Sequence, residues 1–232
     1  MGKTHALLLA TTFLAVTAYA SQTPPQTFTL APLTEPFQSP FTFSQFNPAL
    51  GTLTGIEFSM STSDTGSATV TNTSGSAGSY LYTNQSDLFI SDLTNNFYNE
   101  ALPTAPTQTG SQLPNSSQNL TARATASAQT VFNGTGAGPF TLSSYNGFGS
   151  PSNPIDSTVF IGTGTVPFIF NGLDSSTCTG TNISCSTTAS GGGTVTLIYD
   201  YTPGTATTPE PATLTLLGSA LVVLALRKFH AH

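Results

Sequence analysis

Short segments in which apolar and polar residues alternate dominate the middle of this chain. In the clearest one, Ile56, Phe58 and Met60 share one face and polar residues fill the other. This period of two is typical of a β-strand with one buried face. Similar alternation marks residues 27–30, 68–70, 88–90, 140–142, 159–161, 166–170 and 195–201.

An alanine-rich segment, residues 120–129, also alternates strictly between small apolar and polar residues. Alanine favours helices, but the period is two and the intervening residues are poor helix formers. We therefore predict a strand whose small inner face meets bulky aromatic side chains from an opposing sheet.

These segments predict an all-β body, an antiparallel β-sandwich without internal helices. Pro, Gln, Ser and Thr make residues 102–117 a predicted loop, and the glycines at 191–193 predict a flexible turn before the last strand. The only helices we expect are a signal peptide and a single C-terminal transmembrane helix.

The first twenty residues differ from the body in being apolar without alternation. Lys3 precedes an apolar stretch over residues 6–16, and Ala18 and Ala20 form a small-x-small cleavage site. This is the composition of a secretory signal peptide. We expect cleavage after Ala20, which divides the chain into a signal peptide (1–20), a body (21–208) and a tail (209–232).

The tail combines a rigid triplet, an apolar run and two basic residues. The prolines of Pro209-Glu210-Pro211 disfavour regular structure, so the triplet is expected to stay extended. Bilayer insertion of residues 212–226 is favoured by eight residues: Leu214, Leu216, Leu217, Leu221, Val222, Val223, Leu224 and Leu226. Arg227 and Lys228 then predict a cytoplasmic C-terminus. Fifteen residues give about 22 Å of helix against a hydrocarbon core of about 30 Å, so snorkelling or local thinning is required.

This tail resembles the PEP-CTERM sorting signal of bacterial envelope proteins. The resemblance implies a protein tethered to the inner membrane and cut near the triplet by an exosortase-like protease. The alternative is a buried core helix, which the uniformly apolar run and its terminal position disfavour.

A second resemblance lies in the body. Phe43-x-x-Phe46-Asn-Pro-x-Leu-Gly-Thr-Leu53, followed by an alternating strand, is similar to the start of the choice-of-anchor E domain. Counterparts of its other landmarks extend the similarity over residues 41–202. That family usually has Asp at the position of Asn47. The resemblance of this chain to the family implies an interchangeable C-terminal anchor and implies no particular reaction.

Charge is scarce and mostly negative, at 6% of residues. The body contains one arginine, Arg123, and nine carboxylates, which gives it a net charge of −8. Binding nucleic acid requires several basic residues, so nucleic acid is excluded as a partner. The sixteen Phe and seven Tyr in turn disfavour a disordered chain.

Cys178 and Cys185 lie in a predicted polar loop, residues 174–188, and are predicted to form a disulfide in an oxidising envelope. Free thiols and a metal pair are the alternatives. A metal site would need further ligands, and all three histidines lie in the terminal segments.

The same distribution of histidine excludes a Ser-His-Asp or Cys-His catalytic site in the body. We predict no enzyme activity, no catalytic residue, no cofactor and no metal. Two alternative hypotheses, a glycosidase and a calcium site, stay open. Asp87 and Asp92 could serve a carboxylate glycosidase, although a separation of five places them on opposite faces of a strand. Calcium could bind near Asp64, Asp156 or Asp174, although no spacing matches a known loop.

The sequence thus predicts a non-catalytic bacterial envelope protein, exported and tethered to the inner membrane with its body in the periplasm. Exosortase processing would then place it on the cell surface or in an exopolysaccharide or biofilm matrix. The alternative is a carbohydrate-binding or adhesive module that uses exposed Tyr and Thr.

Overall fold

The computed structural model describes residues 20–92, 97–147 and 154–204, and these are all-β. The predicted signal peptide apart from Ala20, the triplet at 209–211, the apolar run and the basic pair all lie outside these residues. No helix in these three ranges is long and apolar enough to cross a membrane.

Fourteen strands and two short 3-10 helices make up the described body. The strands are β1 (Ser21–Gln22), β2 (Gln26–Thr34), β3 (Phe37–Ser44), β4 (Gly51–Asn72), β5 (Gly78–Thr83), β6 (Ser86–Asp92), β7 (Phe97–Ala101), β8 (Gln108–Gln112), β9 (Ser116–Asn133), β10 (Pro139–Asn146), β11 (Ile155–Asp156), β12 (Thr165–Asp174), β13 (Thr177–Thr181) and β14 (Ser184–Pro203). The 3-10 helices span Pro48–Leu50 and Ser157–Phe160.

One long antiparallel sheet forms the first layer, in the order β1-β14-β4-β9-β10-β11, with β2 also paired to β14. β4 is 22 residues long, which corresponds to about 70 Å at the rise of a β-strand. It pairs with β14 from Thr71 opposite Ser184 to Gly51 opposite Pro203. The body is therefore built on three strands that run nearly its whole length.

Two smaller sheets form the second layer over the inner face of the long sheet. One has the order β3-β12-β6-β7 and the other β13-β5-β8. The chain passes from one to the other between β5 and β6, between β7 and β8, and again between β12 and β13, so the layer is one covering interrupted by a break. The antiparallel sandwich predicted from the alternation is confirmed at this level.

The main core lies under the four-stranded sheet and is dominated by phenylalanine. Phe168 is central: its ring packs within 5.5–6.4 Å, centroid to centroid, of five others. Those rings belong to Phe41, Phe43, Phe58, Phe97 and Phe160.

A second, smaller core lies under the three-stranded sheet. Here Tyr82 packs on Ala68, Ala122 and Ala124, all buried. The prediction that the small face of the alanine strand meets an aromatic residue of the opposing sheet is confirmed. The side chains of alanine are short enough to leave room for the tyrosine ring.

Several local predictions are wrong. Residues 56–60 and 68–70 belong to one strand, β4, because β9 and β14 pair along all of it. The predicted loop at 102–117 contains β8, and Val159 lies in a 3-10 helix. The predicted loop at 174–188 contains β13 and the start of β14, because its residues pair with β5 and β4. The glycines at 191–193 lie inside β14 and form no turn.

Phe168→Ala is expected to lower the free energy of unfolding by about 3–5 kcal/mol, because it leaves a cavity among five rings. Urea unfolding measures this. Thr125→Ala, an exposed change on β9, should stay within about 0.5 kcal/mol of the wild type. Equal effects of the two substitutions would contradict the packing described here.

Candidate functional site

The predicted disulfide is formed, between Cys178 on β13 and Cys185 on β14. Cys178 pairs with Tyr82 in the three-stranded sheet, and Cys185 pairs with Val70 in the long sheet. The bond therefore joins the two layers at the end of the body where β14 begins. No free cysteine is left in the described ranges.

The two ends of the described chain meet at the opposite end of the body. Ser21 pairs with Tyr201, and Pro203 pairs with Gly51. Both predicted membrane-directed segments therefore adjoin the same end of a body about 70 Å long, and the disulfide lies near the other end.

The two aspartates considered for glycosidase chemistry do not form a pair. Asp87 is half-buried, whereas Asp92 points to the other face of β6 and is buried. Asp87 instead accepts a hydrogen bond from Ser175, with 3.1 Å between Oγ and Oδ1. The opposite-face expectation is confirmed, so these residues cannot flank one glycosidic bond.

A different group of polar residues lies in the interior, at the break between the two smaller sheets. We call Glu35, Asp64, Asn84 and Ser86 the buried acidic cluster. Glu35 is 8% exposed, and Asp64, Asn84 and Ser86 are each at most 1% exposed. These residues separate the phenylalanine core from the tyrosine–alanine core.

Two glycines make space for the cluster. A Cβ atom at Gly191 would lie 2.3 Å from Glu35 Oε1, and one at Gly66 would overlap Asn84 Oδ1. Gly191 pairs with Asp64 across the sheet. The carboxylates of Glu35 and Asp64 thus share the inner surface at this register.

Each carboxylate has one hydrogen-bonded oxygen. Ser86 Oγ donates to Glu35 Oε2 at 2.9 Å, and the Asn84 amide donates to Asp64 Oδ2. The orientation of the amide is set because Asn84 Oδ1 accepts from Tyr82 at 3.3 Å and from Ser176 at 3.1 Å. The other two oxygens, Glu35 Oε1 and Asp64 Oδ1, are buried without a hydrogen-bond partner.

Burial shifts the ionisation of this cluster toward the neutral forms. It raises the pKa of Glu35 to about 7, with smaller contributions from the negative charges of Asp64, Asp174 and Asp87. Burial also raises the pKa of Asp64, which the hydrogen bond from Asn84 opposes. The pKa of Tyr82 is raised to about 12 by burial and by the negative charges of Asp64 and Asp174.

The sequence indicates the inward position of Asp64 but not that of Glu35. Alternation continued from Met60 through Thr62 places Asp64 on the inner face, where β4 indeed buries it. Glu35, by contrast, lies between β2 and β3 in a segment without a clean period, so nothing in the sequence pairs it with Asp64. The described residues contain no group of three or more His, Cys, Asp or Glu arranged to hold a metal.

A second concave region lies on the outer face of the four-stranded sheet. The rings of Phe89 and Tyr98 pack there with centroids 4.9 Å apart. Beside Phe89 is a recess of about 460 Å³, lined also by Phe37, Gln38 and Asn171. An apolar recess of about 550 Å³ follows along the same sheet, with Pro40, Pro167 and Ile169 in its wall.

Comparison with known proteins gives no functional assignment. No family model matches the chain, and no curated protein matches it. Among solved structures, it is similar to a chain in the structure of the infectious bursal disease virus Gx strain at 10% identity, covering 91% of this chain and 52% of that one, with a TM-score of 0.15. A chain in the T13 particle of the same virus is 11% identical over 80% of this chain and 41% of that one, also at 0.15. The chain spans about half the length of these viral chains or less, and such low scores carry no argument about fold or function.

The pKa of Glu35 predicts a dependence of stability on pH. A carboxyl group with a raised pKa opposes folding once it must ionise, so the free energy of unfolding falls as the pH rises from about 4.5 to 7. The total loss is about 3 kcal/mol at most. Below this window both states are protonated, and above it the loss is constant.

Chemical denaturation across this window, in buffer with only monovalent salt, measures the dependence. Glu35→Gln should reduce it, because no proton is then gained or lost at this position and only the raised pKa of Asp64 still contributes. Glu57→Gln, a change on the outer face of β4, should retain the wild-type slope. Identical slopes in wild type and Glu35→Gln would contradict the assignment.

Proposed function

We propose that this chain is a non-catalytic bacterial envelope protein, exported, tethered by its C-terminal segment and processed by an exosortase-like protease. The observation that supports it most directly is the coincidence of boundaries. Among the described residues, the first strand begins at Ser21, directly after the predicted cleavage site, and the last ends at Pro203, six residues before Pro209. The two predicted targeting segments thus flank the described sandwich in the sequence.

The position of the termini supports the same function. Because both ends of the described chain adjoin one end of the body, a tether beyond Gly204 holds that end at the membrane. The body then extends about 70 Å outward. The disulfide near the far end is of the kind that persists in oxidising compartments such as the periplasm.

The residues of the tail keep the roles that the PEP-CTERM resemblance implies. Residues 209–211 form the processing signal, residues 212–226 the anchor, and Arg227 and Lys228 hold the C-terminus inside. The body corresponds to the choice-of-anchor E-like segment at 41–202. After processing, the protein reaches the cell surface or an exopolysaccharide matrix.

Deletion of residues 209–226 is expected to move the protein from the membrane fraction to the periplasmic fraction, because the apolar anchor is lost. Immunoblotting of fractionated cells measures this. As a matched control, alanine at Pro209, Glu210 and Pro211 leaves the apolar run intact and should keep the protein in membranes while abolishing cleavage. Identical fractionation of the deletion variant and the wild type would refute the tether.

A second candidate function is carbohydrate binding on the outer face of the four-stranded sheet. The observation that favours it is a recess lined by Phe89, which packs beside the half-buried ring of Tyr98, and by the exposed amide of Gln38. Aromatic faces pack on the apolar faces of sugar rings, and amides hydrogen-bond with sugar hydroxyls.

On a glycan array, Phe89→Ala should abolish binding of whichever glycan the wild type retains, because the stacking surface is lost. Leu113→Ala removes an equally apolar, 72% exposed side chain elsewhere and should leave binding unchanged. A wild-type protein that retains no glycan ends this second candidate and leaves the envelope assignment intact.

A further inference from the structure

The buried acidic cluster lacks a compensating positive charge. The described body contains nine carboxylates and a single basic residue, Arg123. Arg123 is exposed on β9 and pairs with Thr65, whose side chain is on the outer face of β4. Asp64, the preceding residue on β4, faces inward. No basic side chain of the described ranges therefore reaches Glu35 or Asp64.

Two carboxylate oxygens of the buried acidic cluster have no hydrogen-bond donor. Serine and asparagine satisfy one oxygen of each carboxylate, and the remaining two, Glu35 Oε1 and Asp64 Oδ1, are buried acceptors without a donor. Buried charges in proteins are paired or coordinate a metal, because an uncompensated one is costly. Glu35 Oε1 lies over Gly191, whose partner across the long sheet is Asp64, so the two carboxylates share one register.

We propose that the buried acidic cluster binds a hard divalent cation, Ca²⁺, through the carboxylates of Glu35 and Asp64. The Ser86 hydroxyl, which already contacts Glu35, supplies a further oxygen. Asn84 is a positioning residue: its carbonyl oxygen is held by Tyr82 and Ser176, so its amide nitrogen orients Asp64.

The chemistry of the donors selects the cation. All of them are oxygen atoms, and the described body has no histidine and no free thiol to favour zinc or copper. Calcium accepts irregular sets of oxygen ligands, whereas magnesium demands near-ideal octahedral geometry. Two carboxylates are a small anionic set, so we expect a Kd of about 10⁻⁴–10⁻³ M, the range of extracellular calcium modules.

Bound calcium would connect three parts of the fold. Glu35 lies between β2 and β3, Asp64 lies in the middle of β4, and Asn84 and Ser86 lie where the second layer passes from β5 to β6. The cation would fix the break between the two smaller sheets to the long sheet. This inference does not depend on the proposed envelope function.

Thermal unfolding of the purified full-length chain, with calcium against a chelator, tests the proposal. Calcium at a hundred-fold excess over Kd should raise Tm by about 5–10 °C. The shift should be lost in Asp64→Asn and in Glu35→Gln and retained in Glu57→Gln, the matched control on the outer face of β4.

Terbium provides a second readout that does not depend on the stability of the variants. The chain has no tryptophan, and Tyr82 hydrogen-bonds with Asn84, so Tyr82 should sensitise the emission of bound terbium. We expect calcium to displace terbium, and Tyr82→Phe to lose most of the emission, whereas Tyr98→Phe, a change on the outer face of the four-stranded sheet, should retain it.

Two outcomes would overturn the proposal. One is a calcium-induced shift of Tm that is the same in wild type and Glu35→Gln. The other is a wild type whose Tm does not respond to calcium, which would leave a bound proton as the occupant of the unsatisfied oxygens.

Discussion

The pairing of β4 with β14 on one side and β9 on the other is the interaction on which this structure depends. The β4–β14 ladder has 20 paired positions and the β4–β9 ladder has 18, so the sheet is long in the direction of its strands. A sheet with one apolar face must be covered along its whole length. The rest of the described body, its second layer and its two cores, is what covers that face.

The covering layer is divided, and the division explains the unusual interior. Strands β3, β6, β7 and β12 cover the phenylalanine core, whereas β5, β8 and β13 cover Tyr82 and the alanines. Where one small sheet gives way to the other, side chains of Asn84 and Ser86 reach the interior in place of apolar ones. Asp64 and Glu35 contact them there, so the polar residues lie at the break between the two smaller sheets.

The same ladder fixes how the protein can be presented. Because β1 pairs with the last residues of β14, the start and the end of the described chain lie together. Cys178–Cys185 lies at the other end of β14, far from them. Under the proposed envelope function, the body would therefore be held at one end.

The sequence by itself determined the all-β class, the inward faces of most strands, and the disulfide. Period-two alternation reports which face of a strand is buried, whatever its partners are, and a short separation of two cysteines restricts their pairing. Continued alternation also carried the inward direction of Asp64.

Only the tertiary structure decided where Glu35 lies, how long β4 is, and that 191–193 remains in a strand. Each of these depends on residues distant in sequence: Glu35 is brought to Asp64 through β14, and the glycines are held in extended form by Leu30, Thr62 and Glu35 packed against them. A local pattern cannot encode such contacts, because their energy comes from neighbours that the chain acquires only on folding.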